Sequence, residues 1–142
     1  MPPLATGRFN HASLNCRNVA ASVAFYRSVL GFREVRRPDF DFEGSWLYRD
    51  ELGMMLHLIG DAEMKVNSLG LTNTRRPHLA FYVDDVDAAL AKLVTLEIEH
   101  KHKRLPTFGY RQIFFCDPDD NLIELGEWPA VEQMDLNDPA PA

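Results

Sequence analysis

Two pairs of side chains in this sequence share one spacing: His11 and His78 stand 67 residues apart, and so do His57 and Glu124. Neutral imidazole and carboxylate are the usual ligands of Zn, Ni, Co, Fe or Mn, so these residue types point to one divalent metal ion per chain. His57 is the most telling of the four. It sits in MMLHLIG, among Met54, Met55, Leu56, Leu58 and Ile59, a run that reads as a buried strand. A bare imidazole there costs roughly 1–3 kcal/mol if it finds no partner, and a metal ion would remove that penalty. Any one of the four, taken alone, is more often a core, edge or solvated strand residue than a ligand. The shared spacing is what argues for a set.

The elements that must position them repeat with the same offset. Sliding the chain by 67 residues also lays Asn18 on Asp85, Val19 on Val86, Leu56 on Ile123 and Leu58 on Leu125, with no gap. Asn18 and Asp85 are both apt helix N-caps. Hydrophobic period and turn residues predict a strand over Phe9–Asn15, a helix over Val19–Leu30 stopped by Gly31, and strands over Phe32–Arg37, Ser45–Tyr48 and Met54–Ile59. After the polar connector EMKVNSLGLTNTRRP the series recurs: a strand over His78–Val83, a helix over Val86–Leu96, and strands over Ile98–Lys103, Arg111–Cys116 and Asn121–Leu125. CDPDDN supplies the turn before the last. The class is α+β, built from two βαβββ modules. Module one covers residues 9–60, the connector 61–77 and module two 78–128, with an N-terminal arm at 1–8 and a flexible acidic tail at 129–142. If the halves pack as pseudo-symmetric curved sheets, His11, His57, His78 and Glu124 converge about the pseudo-axis.

Composition narrows the function. A net charge of −6 argues against nucleic acid as a partner, since surfaces that bind it are basic. No apolar run reaches the length of a membrane span, which takes about 20 residues. The start, MPPLATGRF, lacks the charged and apolar regions of a signal peptide, so a cytoplasmic protein with reduced Cys16 and Cys116 is expected.

Smaller signals surround the main set. Ser13 follows His11 by two residues and shares its strand face, within reach of a substrate. Gln112 and Phe114, before CDPDD, are candidates for the same wall, Gln112 as an orienting amide. Arg36 and Arg37, ahead of Pro38, could meet an anionic substrate or solvate a turn, and the turn is the favoured reading. Arg75–Pro77 reads as a surface connector, and His100 and His102 in EHKHK as an exposed strand edge. Phe25 and Tyr26 read as core.

The stretches FNHASLNCRNVAASVAFYRSVLGF, RPHLAFYVDDVDAALAKL and FFCDPDDNLIEL together resemble the vicinal oxygen chelate superfamily, from about Phe9 to Trp128. That superfamily includes glyoxalase I, fosfomycin-resistance thiol transferases, extradiol dioxygenases and bleomycin-binding proteins. RRPDFDFEGSWLY further resembles the short glyoxalase I-like proteins of plants and bacteria. The resemblance implies the glyoxalase/bleomycin resistance/dioxygenase fold, a metal in a cupped mixed sheet and a homodimer. His11, His78 and Glu124 fall on the family's ligand positions. His57 falls on the fourth, where glyoxalase I carries Glu, and there His57 and Glu124 are the implied catalytic groups. The implied activity is that of a lyase or isomerase acting on a small molecule with two neighbouring oxygens, either a glutathione adduct or an anionic oxo or hydroxy acid. The alternatives are an extradiol-type dioxygenase and a metal-free ligand-binding protein of the bleomycin-resistance type. The latter class usually lacks the ligand set that His11, His57, His78 and Glu124 supply. A fosfomycin thiol transferase would carry a serine- and glycine-rich loop where RLPTFGYRQ stands.

Overall fold

The computed structural model describes residues 1–66 and 68–137. Its elements run β1 (His11–Cys16), α1 (Val19–Leu30), β2 (Arg33–Val35), β3 (Gly44–Tyr48), β4 (Met55–Gly60), β5 (His78–Tyr82), α2 (Val86–Thr95), β6 (His100–Arg104), β7 (Arg111–Cys116) and β8 (Leu122–Gly126), with short 3-10 turns at Asp50–Leu52 and Val131–Gln133. The strands form two four-stranded mixed sheets, ordered β1-β4-β3-β2 and β5-β8-β7-β6. Each is one βαβββ module, as the duplication predicts. The register repeats too: His11 faces Met55 across the parallel β1–β4 pair, and His78 faces Leu122 across β5–β8.

Local chemistry explains the helix ends. The side chains of Asn18 and Asp85 accept hydrogen bonds from the amides of Ala21 and Ala88, capping α1 and α2. Gly31 closes α1 at φ 74°, a conformation that costs glycine nothing. Some strands are shorter than the pattern suggests. β2 begins after Phe32, whose ring is drawn into the core, and stops before Arg36-Arg37-Pro38, where proline cannot donate to a ladder. β6 begins at His100 because the Ile98 amide is spent on the Leu93 carbonyl, closing the end of α2.

The chain divides into two compact units. Met1–Ser68 joins with the turn Asp117–Asn121 in the first, and Leu69–Cys116 joins with the chain from Leu122 in the second. In the first unit, α1 packs on β3 and β4, burying Tyr26, Leu30, Leu47, Leu56 and Leu58. Phe25, expected in the core, is only half-buried. The turn completes that core from 91 residues away: the Tyr26 hydroxyl donates to Asp117 Oδ2 at 2.8 Å. Asp117 is 6% exposed and also accepts from the amides of Asp119 and Asn121 and from Asn121 Nδ2. Asp119 accepts from the Arg17 amide, from Arg17 Nε at 2.9 Å and from Ser22 Oγ. Burial, then the Asp117 charge, pushes the Tyr26 phenol far above its ordinary value. In the second unit α2 packs on β7, over a core of Ile113, Phe115, Ile123 and Leu125.

One expectation about the rest needs amending. Arg76, expected on the surface, is half-buried and donates from Nη2 to the Gly70 carbonyl and to Cys116 Sγ. The tail carries the 3-10 turn at Val131–Gln133 within 129–142, and residues 138–142 lie outside the described residues. Among the described residues no helix is long and apolar enough to cross a membrane.

Candidate functional site

Strand alternation assigns the site face of the first unit. β3 and β4 bury Ser45, Leu47, Leu56 and Leu58 on the α1 side, which leaves Trp46 and His57 on the opposite, open face. His57 lies across from Trp46 on β3 and from Ser13 on β1. Three rings stack there. The Trp46 and His57 centroids are 4.3 Å apart with planes 6° from parallel, and His11 covers the other side of His57 at 3.8 Å and 13°.

This stack shields His57 without satisfying it. Nε2 of His57 is buried and has no hydrogen-bond partner among the described residues. Burial first, then the charges of His11 and Arg37, holds the His57 imidazole below its ordinary pKa. Both observations suit a neutral ring with a lone pair to offer. His11 is oriented by Asn10, whose Oδ1 lies 2.7 Å from Nδ1. An Nδ1–H donated there leaves Nε2 as the lone-pair nitrogen.

The second unit presents its own pair. His78 on β5 and Glu124 on the central strand β8 meet at 2.7 Å between Nε2 and Oε2. The Arg76 carbonyl takes Nδ1 of His78, also at 2.7 Å. The 2.7 Å Nε2–Oε2 contact is a hydrogen bond that shares one proton, and both groups would become free to serve as metal ligands on its loss. Glu124 is only 5% exposed, and its Oε1 accepts from Gln112 Nε2 on β7. Phe114, opposite Glu124 in the β7–β8 register, meets His78 edge-on at 6.1 Å.

The six residues other than Ser13 that the sequence singles out thus stand in two groups: His11 with His57, and His78 with Glu124, Gln112 and Phe114. Ser13 is exposed on β1 and has no side-chain hydrogen bond among those described. The donor chemistry of both pairs fits a divalent metal, and the unpartnered His57 nitrogen fits it best. Among the described residues, no three His, Cys, Asp or Glu side chains gather into a metal-holding group.

Sequence reasoning missed two neighbours, Trp46 and Asn10, and read a third, Arg37, as a turn residue in preference to a group that meets an anionic substrate. Trp46 could have been found, since GSWLY alternates and places its indole opposite the buried Ser45 and Leu47. Asn10, just outside the strand, gave no signal. Arg37 was hidden in a stretch that reads as a turn.

Comparison with known proteins agrees with this architecture. The model of the Glyoxalase/Bleomycin resistance protein/Dioxygenase superfamily matches residues 8–125. The chain is 33% identical over 126 residues to a protein named Glyoxylase I 4 of Arabidopsis thaliana, covering 87% of this chain and 72% of that one. A glyoxalase/dioxygenase from Nostoc punctiforme superposes with a TM-score of 0.71 at 24% identity, covering 92% and 99% of the two chains. A lactoylglutathione lyase from Agrobacterium tumefaciens superposes with a TM-score of 0.62 at 25% identity, covering 89% and 95%. With the family model spanning both modules, the chain belongs to the Glyoxalase/Bleomycin resistance protein/Dioxygenase superfamily.

Proposed function

We propose that the protein is a divalent-metal-dependent lyase or isomerase of the glyoxalase I-like type, acting on a small substrate with two neighbouring oxygens. The observation that carries this reading is His57 Nε2, buried and unpartnered at the centre of a ring stack. The names of the Arabidopsis relative and the Agrobacterium neighbour support the same class of reaction. His11, His57, His78 and Glu124 hold the ion, whether one chain or two supply them. When bound, a divalent ion supplies a Lewis acid against the oxygens of an enediolate-type anion.

The protein's own groups do the rest. Gln112 fixes one oxygen of Glu124 and leaves the other toward His78, so the carboxylate is aimed before substrate arrives. His57 and Glu124 are the groups that take and return the substrate proton, His57 only once its Nε2 is released from the ion, since that nitrogen has a single lone pair. Ser13, Gln112 and Phe114 line the substrate side. Imidazole where glyoxalase I has carboxylate leaves the site one unit more positive. That favours a chelating anion, such as a 2-oxo or 2-hydroxy acid, over the neutral hemithioacetal of methylglyoxal and glutathione. The working form is a homodimer, because each sheet ends in strands with open edges, β1 and β2 in one and β5 and β6 in the other.

Elemental analysis of protein purified without added metal tests the site. About one divalent ion per chain is expected, with binding lost in His78→Ala and Glu124→Ala; wild-type affinity in both variants would falsify the ligand set. His57→Glu should raise methylglyoxal–glutathione turnover at equal metal occupancy. Strong wild-type turnover that His57→Glu abolishes would sink the charge argument. Light scattering that finds only the 16.2 kDa chain at micromolar concentration would count against the dimer.

A further inference from the structure

We infer that Arg37 is the receptor for a carboxylate that the substrate carries in addition to its neighbouring oxygen pair. The inference rests on the proposed function only in taking the open face of the first sheet as the face that meets substrate.

Position comes first. Gly44 and Trp46 point the same way along β3, toward the open face on which Trp46 stacks against His57. A Cβ built on Gly44 would lie 3.1 Å from Arg37 Nη2 and 3.3 Å from Cζ. The guanidinium therefore rests beside Gly44 and, through Phe40, next to Trp46; glycine is required at 44 first by the Leu58 carbonyl, which a Cβ would meet at 2.5 Å.

The group is also held ready. Its centre lies 4.7 Å from the Phe40 ring and 4.9 Å from the Phe42 ring, and Nη2 donates to the Phe42 carbonyl at 2.8 Å. Phe40 in turn leans on Trp46 at 6.4 Å, joining the cation to the stack that ends in His11. A guanidinium has five N–H donors, and that carbonyl takes the one hydrogen bond found among the described residues. No carboxylate pairs with it among them, although Asp39, Asp41 and Glu43 follow closely in sequence and the chain carries a net charge of −6. Arg36 beside it is exposed, as a turn residue should be, whereas Arg37 is half-buried. A fixed, partly desolvated, unpaired fork matches the two oxygens of a carboxylate. Phe40 and Phe42, 45% and 42% exposed, offer the adjoining apolar surface. The ligand class is a carboxylate on an aryl or alkyl body.

Titration calorimetry on metal-stripped protein, in the presence of chelator, tests this with phenylacetate and its neutral isostere phenylacetamide. The acid should bind at least about tenfold more tightly than the amide, as expected for a charge-assisted hydrogen-bonded pair. Arg37→Met should erase the preference. Arg37→Lys, which keeps the charge without the fork and serves if Arg37→Met fails to fold, should reduce it severalfold. Lys103→Met, removing the cation that sits over Phe114 in the second unit, should leave it unchanged. The assignment is overturned if wild type shows no preference, if the preference survives undiminished in the Arg37 variants, or if Lys103→Met removes it. Because no metal takes part, a preference that holds while elemental analysis fails would leave Arg37 standing and remove the metal reading.

Discussion

Asp50 and Asp117 stand at the same place in the duplication, each opening the turn before the last strand of its half. The backbones agree closely: Gly53 and Asp120, also equivalent, are both left-handed, at φ 63° and 66°. The side chains live differently. Asp50 is 75% exposed and pairs with Arg33 at 3.1 Å on the surface. Asp117 is buried and gathers the Tyr26 hydroxyl, two amides and the Asn121 side chain. The site repeats the contrast. His57 and Glu124 are equivalent, yet the Glu124 carboxylate is bonded to His78 and Gln112 while His57 keeps an unpartnered nitrogen. A duplicated scaffold fixes where a polar group stands; its neighbours decide whether it is already satisfied.

The turns give the largest expected difference. Asp117→Ala strands several buried donors and should lower the free energy of unfolding by about 3 kcal/mol or more. Asp50→Ala should stay within about 0.5 kcal/mol of wild type. Urea denaturation of the two variants measures both, and equal losses would erase the distinction.

The site pairs should differ less. In metal-free protein, Glu124→Leu leaves His78 and Gln112 without their shared acceptor and should cost about 2 kcal/mol. His57→Phe keeps the ring stack and deletes the stranded nitrogen, so it should match or exceed wild type, by up to about 1 kcal/mol. The same denaturant measurement with chelator present decides it, and a loss in His57→Phe as large as that in Glu124→Leu would refute the contrast.

The smallest effect concerns the helix starts. The first turn of α2 carries Asp87 and that of α1 carries no acid. Arg111 Nη1 donates to Asp87 at 2.7 Å and holds its carboxyl below the usual range. A depressed folded-state pKa adds stability that is present above the unfolded value and lost as pH falls through the folded one. Asp87→Ala should therefore soften only the acid limb of the stability–pH curve, at low salt and not at high, because both partners meet solvent. An unchanged acid limb at low salt would show that the pair contributes nothing.

Much of this was legible in the sequence. One gapless offset aligned the helices and strands of the two halves, because a repeat of chain is a repeat of hydrophobic pattern; strand order and register came only with the structure. The offset also named His11, His57, His78 and Glu124 as the polar residues that break that pattern. What each touches was not legible. The stack of Trp46 on His57 depends on register between strands, and the clamp on Arg37 on how the loop between β2 and β3 folds back to put Phe40 and Phe42 against it. Arg37 looked like a turn residue because Pro38 follows it. The burial of Asp117 depends on Tyr26, far away in the chain, and no local period reports such a partner.

That distant partnership bears on how the chain is made. Translation proceeds at about 5–20 residues per second, so the first 68 residues are synthesised roughly 3 to 10 seconds before residue 121. Through that interval the Tyr26 hydroxyl, Ser22 and Arg17 have water where Asp117 and Asp119 will later stand. The first module cannot close its interior from its own residues, and a ribosome paused between the halves would display it unfinished. For the first half, the end of synthesis is not the end of assembly: it needs a turn encoded in the later one.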